Sequence, residues 1–153
     1  MWFYDFLQKN AKEDGIEKII VGAIIANKNN EILVAKRKDD DFMGGYYEIV
    51  GGNSEKDETI YDTLVREVKE ETNLDIMHVE SYVNFFDYTS DSGKKCRQFN
   101  FKVNVKNGNI ELTEHSSYKW IKLSEIETIE PMSKEVKNSL LIYKFNSTSI
   151  KVQ

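Results

Sequence analysis

The sequence predicts an α/β fold, with a mixed β-sheet between helices, built as one domain. Short runs rich in β-branched and aromatic residues fill the middle of the chain, and segments with helical spacing of apolar residues lie around them. No Pro/Gly/Ser linker, internal repeat or low-complexity tract divides the 153 residues, and the sole proline is Pro131. A chain of this length buries most of its apolar surface without disulfide staples. Residues 1–153 therefore read as a single domain, with 1–16 as an N-terminal extension.

The elements follow in order. Trp2, Phe3, Phe6 and Leu7 have spacings that suit one face of a short helix over residues 2–12. That helix either caps the core, the commoner case, or meets another subunit. Residues 19–26, IIVGAIIA, form a nearly continuous apolar run, the pattern of a strand buried on both faces. Lys28-Asn29-Asn30-Glu31 has turn chemistry, so Ile32-Leu33-Val34-Ala35 is expected to return as the partner strand of a hairpin. A polar loop closed by Gly44-Gly45 leads to a third strand over 46–50, stopped by Gly51-Gly52, and then to a helix from about Glu58 to Glu71. Val79 to Tyr88 and Arg97 to Val105 flank Thr89-Ser90-Asp91-Ser92-Gly93 as a second hairpin. Tyr118 to Ile121 is a short strand, and Leu123 to Ile129 and Ser133 to Phe145 are read as helices.

Composition narrows the classes of function. The formal charge of -5 argues against general affinity for nucleic-acid backbones, which needs a clustered basic surface. An anionic small substrate is compatible with it when a metal ion offsets the repulsion. The single cysteine, Cys96, excludes an intrachain disulfide and a cysteine zinc cluster, and fits a reducing compartment. No run is long and apolar enough to span a bilayer, and Met1-Trp2-Phe3-Tyr4-Asp5 lacks the basic start of a signal peptide. A cytoplasmic protein is the expectation.

The helix after Gly52 carries the chemistry. At 100° steps Ile60, Leu64 and Val68, with Tyr61 and Val65, share one apolar sector. Glu67, Glu70 and Glu71 line one flank of it. Like charges at these spacings repel, and partial burial makes their ionisation more costly, so a cation is called for. Magnesium takes oxygen ligands and commonly bridges one or two carboxylates to substrate phosphates. The flexible Gly51-Gly52 could aim a carbonyl at the same ion. The alternative is a solvated helix face with pairs such as Arg66 and Glu70, and spacing alone leaves both open.

The segment resembles the signature of the Nudix hydrolase family. Gly52 is followed after five residues by Glu58, then after seven by Arg66-Glu67-Val68-Lys69-Glu70-Glu71-Thr72, with Leu74 closing the motif. One specified position departs: Asn73 stands where the family has glycine, and Asn is the best other residue for a left-handed helix end. Val50 replaces a proline common before the glycines. Glu55 and the tail from Leu112 to Ile121 extend the likeness over about residues 17 to 145, leaving the first twelve or so outside it.

The resemblance implies a Nudix-type α/β/α sandwich and a set of roles. Glu67, Glu70 and Glu71, with the Gly51 carbonyl, would hold Mg2+, Mn2+ being the alternative ion. Glu58 and Arg66 would brace the loop against the helix, and a carboxylate of the motif or Glu114 would deprotonate the attacking water. The implied reaction is hydrolysis of a nucleoside diphosphate linked to another moiety. A nucleoside triphosphate, oxidised ones included, is the favoured substrate, yielding a monophosphate and pyrophosphate. The alternative is a non-catalytic module of the same fold that binds a nucleotide or a protein partner. A homodimer is plausible for the family, and Trp2, Phe3 and Phe6 could contribute to it.

Outside the motif, Arg37, Phe86 and His115 are the candidate substrate contacts. Arg37, within Lys36-Arg37-Lys38, reaches phosphates or sits in a solvated turn. Phe85, Phe86 and Tyr88 stack on a base or serve as core. His115 touches ligand or is an exposed loop histidine, the commoner case. Trp120 is assigned to the core.

Overall fold

The computed structural model describes residues 2–152, the side chains of 148–152 excepted. Helix α1 (Trp2–Glu13) precedes β1 (Lys18–Ile25), β2 (Ile32–Arg37), β3 (Tyr47–Glu48) and β4 (Val50–Asn53). Then come α2 (Ile60–Thr72), β5 (Ile76–Thr89), β6 (Lys95–Val105), β7 (His115–Ile121), a 3₁₀ turn (Leu123–Glu125) and α3 (Lys134–Val152). Among the described residues no helix is long and apolar enough to cross a membrane.

The central sheet is mixed and has the order β4-β1-β6-β5, with β1 parallel to β6 and antiparallel to β4. A second, antiparallel sheet has the order β3-β2-β7. One face of the central sheet presents Val21, Ala23, Phe99 and Phe101 to a core closed by α1 and α2. The opposite face presents Ile24 to a second core shared with Ile32, Val34 and Ile121 of the small sheet and Val136 and Leu140 of α3. Helices thus cover a mixed sheet from both sides, the α/β sandwich expected of the sequence.

Several local expectations are corrected. β1 and β2 do not form a hairpin ladder. Only the bridge Ala26–Ile32 joins their ends, because β4 and β6 occupy both edges of β1 while β3 and β7 occupy those of β2. Between them Asn27 Oδ1 accepts from the amides of Asn29 and Glu31, both at 3.0 Å, and makes the turn that swings β2 into the other sheet. The strand expected over 46–50 is two strands parted at Ile49. Gly51 and Gly52 lie inside the second and pair with Gly22 and Val21. The helix expected over 123–129 is regular only across the 3₁₀ turn. In α1 the buried face is Tyr4, Leu7 and Ala11, whereas Trp2 is 78% exposed and Phe6 49%. In α2 the burial of Ile60, Leu64 and Val68 matches the expected sector, but Tyr61 and Val65 lie at its exposed margin.

Helix α2 is held firmly at both ends. Thr59 Oγ1 accepts from the Asp62 amide at 3.0 Å, and Asp62 Oδ2 accepts from the Thr59 amide at 3.1 Å, a reciprocal capping box. At the other end Asn73 adopts a left-handed conformation (φ 67°) and donates its amide to the Lys69 carbonyl at 2.9 Å. The departure from glycine at 73 leaves the turn intact.

Candidate active site

The site grows from the meeting of β4 and α2. Arg66 fans its guanidinium into the loop between them. Nε and Nη2 donate to the two oxygens of Glu58 at 2.7 and 2.8 Å, and Nη2 also donates to the Asn53 carbonyl at 2.8 Å. Nη1 donates to Glu67 at 2.8 Å and Glu70 at 3.2 Å, while Glu55 stands off at 3.9 Å. Such two-pronged, charge-assisted contacts are strong and directional. The hydrogen bonds from Arg66 pull the Glu58 carboxyl down to about 2, and Glu58 in turn raises the guanidinium.

One turn further on, Glu71 is only 4% exposed. Its Oε1 accepts from the Gly51 amide at 2.7 Å, and its Oε2 lies 3.8 Å from His115 Nδ1. Burial is the main force pushing this carboxyl up to about 9. The Gly51 amide opposes the shift, and the charges of Glu114, Glu67 and Glu48 reinforce it. Burial also raises Glu67, against the pull of Arg66. A side chain on Gly52 would occupy the space of the Glu67 carboxylate, so glycine there is a requirement of fit. The loop bearing Glu114 is tied to α2 through Thr113, whose hydroxyl donates to the Glu70 carbonyl at 2.8 Å.

Behind Glu71 runs a chain of polar groups that the sequence did not reveal. His115 is buried as the first residue of β7, its Nε2 2.9 Å from Glu48 Oε2. Its Nδ1 is buried without a hydrogen-bond partner among the described residues. Glu48 also accepts from Arg37 Nη1 at 3.1 Å, and Arg37 is braced by the Phe42 carbonyl at 2.6 Å and Asp41 at 3.0 Å. The expectation of an exposed loop histidine is thereby corrected: the strand starts at His115 and draws the ring inward.

Beside Glu48 opens a cleft of about 540 Å³ between β3, β5, β6 and the start of α3. Arg37, Phe86 and Tyr88 line it, and His115 is not among its lining residues. Phe85 points to the other face of the sheet, its ring tilted against Phe99 at 6.0 Å with Arg97 4.3 Å above it. Glu48, Asn53 and Gln98 also line the cleft and were missed in the sequence. The one signal for Glu48 was a charged residue inside an otherwise apolar and aromatic strand segment.

The residues read as metal ligands are brought together unevenly. Glu71 is buried and Glu67 half-buried, one turn apart beside Gly51 and Gly52, whereas Glu70 is 57% exposed on its side chain and turned to Arg66. Among the described residues no three acidic, histidine or cysteine side chains close a ready-made metal cage. The donor set nevertheless fits a hard divalent cation. It is all oxygen, it gathers Glu67, Glu48 and Glu114 around the desolvated Glu71, and the missing side chain at Gly52 leaves room for the Glu67 carboxylate. Mg2+ typically keeps several waters and needs only one or two protein carboxylates.

Comparison with known proteins agrees with this geometry. Residues 17–141 match the NUDIX domain. The chain is 37% identical over 57 residues to an 8-oxo-dGTP diphosphatase of Proteus vulgaris, a segment covering 37% of this chain and 51% of that protein. It is 29% identical over 109 residues to an 8-oxo-dGTP diphosphatase of Buchnera aphidicola subsp. Schizaphis graminum (strain Sg), covering 71% of this chain and 79% of that one. The chain thus spans about half the length of the first relative and about four-fifths of the second. The crystal structure of the MutT protein from Methanosarcina mazei Go1 superposes with a TM-score of 0.75 at 23% identity, over 84% of this chain and 94% of that one. A domain match across most of the chain, on this fold and around this helix, shows that the protein belongs to the Nudix hydrolase family.

Proposed function

We propose that this chain hydrolyses the diphosphate linkage of a nucleoside diphosphate joined to another group, in a reaction dependent on Mg2+. The favoured substrate is a nucleoside triphosphate, oxidised purine nucleotides included, giving the monophosphate and pyrophosphate. The observation that carries the reading is Glu71: a buried carboxylate anchored by the Gly51 amide and surrounded by the charges of further carboxylates. The 8-oxo-dGTP diphosphatase relatives support the choice of substrate class.

In this reading Glu67, Glu70 and Glu71 with the Gly51 carbonyl hold the ion. When bound, Mg2+, or Mn2+ in its place, neutralises the diphosphate and acidifies the attacking water. Arg66 and Glu58 keep the loop from moving as substrate enters. A carboxylate of the motif or Glu114 takes the proton as the water oxygen bonds to phosphorus and the bridging P–O bond breaks. Arg37, held by Glu48 and Asp41, faces the phosphates from the cleft, and Phe86 offers its ring to the base. His115 acts from behind, setting Glu48 beside Glu71.

A cytoplasmic setting belongs to the same reading and is supported by the free, buried thiol of Cys96; the net charge supports the lack of general nucleic-acid binding. A homodimer through α1 is supported by its exposed Trp2 and Phe6. The test is release of phosphate or pyrophosphate from nucleoside triphosphates, oxidised nucleotides, nucleotide sugars and dinucleoside polyphosphates, with magnesium present and with it chelated. Magnesium-dependent turnover of nucleoside triphosphates is expected. Folded protein that turns over none of them would point to a binding module.

A further inference from the structure

The floor of the cleft is one face of the central sheet, and strand register sets its residues in rows. Asn53, Ile20, Gln98 and Phe86 make one row; Gly51, Gly22, Asn100 and Asn84 make the next, deeper one. Gln98 and Phe86 line the cleft. Asn100 is fully buried beneath them, against Ser139 of α3.

The hydrogen bonds among these side chains have a single direction. Ser139 Oγ spends its one proton on the Glu135 carbonyl, 3.0 Å away in the preceding turn of α3. Toward Asn100 it can only accept, so the group facing it must be Asn100 Nδ2, at 3.2 Å. The second Nδ2 proton goes to Asn84 Oδ1 at 3.1 Å. Both donors of Asn100 are then used, and its Oδ1 is left facing Gln98. Gln98 must answer with Nε2, which it does at 2.9 Å. A flipped Gln98 would set two oxygens against each other in a buried place, a costly arrangement. Gly22 makes room for this pair. A Cβ there would meet Asn100 Oδ1, would lie 2.7 Å from Gln98 Nε2 and would also touch Ile49, and the backbone at 22 does not itself need glycine.

We infer that Gln98 reads the nucleobase, with an amide whose orientation is fixed from α3 through Ser139 and Asn100. The inference rests on the nucleotide reading above and deepens it. After serving Asn100, Gln98 retains one N–H and Oε1 for a ligand. This donor beside an acceptor matches a base edge that offers an acceptor beside a donor, the pairing an amide side chain makes with bases elsewhere. Phe86 and Tyr88, with ring centroids 6.1 Å apart, supply the aromatic surface on which a base stacks without regard to its identity. Gln98 is thus the selective group of the cleft, and Ser139 and Asn100 are positioning residues.

The test is equilibrium binding in magnesium-free buffer, where turnover does not enter. The probes are GMP, AMP, CMP, UMP and purine riboside 5′-monophosphate, whose base lacks exocyclic donors and acceptors. The wild-type protein should bind the best of the four natural nucleotides at least about tenfold tighter than purine riboside 5′-monophosphate. Gln98→Met should bring that ratio to within about twofold, with affinity for inorganic pyrophosphate unchanged. Ser139→Ala, which lies outside the cleft lining, should lower the same ratio several-fold by freeing the amides to flip; a merely structural role would weaken all probes together. A wild-type ratio near one, or a ratio untouched in either folded variant, overturns the inference. Magnesium-dependent turnover with no base discrimination would sink this inference alone. Discrimination without turnover would sink the catalytic reading and leave this one standing.

Discussion

The two ends of the Nudix segment treat their carboxylates in opposite ways. At the start, Glu58 sits in the fork of Arg66 and is held near 2, so the protein itself provides the countercharge. Thirteen residues on, Glu71 is buried with one amide donor and acidic neighbours, and is pushed up to about 9. The first arrangement stabilises the fold and asks nothing of the solvent. The second opposes ionisation in the absence of a cation, the arrangement that the proposed reading assigns to the chemistry.

The sharpest way to break this contrast is Glu71→Gln. Turnover should fall on the order of a thousandfold. Stability without metal should hold or rise, because the substituted side-chain amide still offers an oxygen to the Gly51 N–H and carries no charge to desolvate. A carboxyl raised in the folded state contributes stability that is full below its ordinary value of 4.5 and is lost as pH rises through about 9. Thermal unfolding of metal-free protein should therefore decline over that window, and Glu71→Gln should flatten the decline. Wild-type turnover in this variant would abolish the distinction between the two ends.

Gly52→Ala tests the intermediate position of Glu67. The new methyl takes the space of its carboxylate, so turnover should drop roughly tenfold to a hundredfold, the scale seen when a ligand's support is disturbed. Normal kcat would mean that the placement of Glu67 is immaterial. Glu58→Gln should act mainly on stability, costing about 2 kcal/mol in a denaturant titration as the charge-assisted bonds to Arg66 weaken. Glu58 is depressed when folded, so its contribution is full above 4.5 and lost as pH falls toward about 2. The variant should lack that acid limb, and an unchanged acid limb would show that Arg66 is satisfied by its other partners.

The sequence made local order readable where one principle dominated. The box spacing located α2 to within two residues at its start, and the left-handed Asn73 followed from side-chain chemistry. Pairing was less legible. β1 and β2 are both apolar runs buried on two faces, so neither carries an alternating pattern that would say which strand lies beside it. His115 was hidden by its polar neighbours Glu114 and Ser116, and only the pairing of β7 with β2 shows that it turns inward. The Gln98–Asn100–Ser139 relay had no local signature, since its last member lies 39 residues beyond Asn100 and meets it only through the packing of α3.

Gly22 has a consequence for how such an enzyme can change. The amide pair it shelters lies on β6, outside the segment that supplies the carboxylates, so under the proposed reading a change at Gln98 or Asn100 would alter the preferred base without touching the residues assigned to hydrolysis. The same row constrains the path of drift. A larger residue at 22 would crowd both amides at once, and a new preference is more readily reached by altering Gln98 or the aromatics beside it than by remodelling the strand beneath them. On that reading base preference is free to change while the carboxylate segment stays as it is.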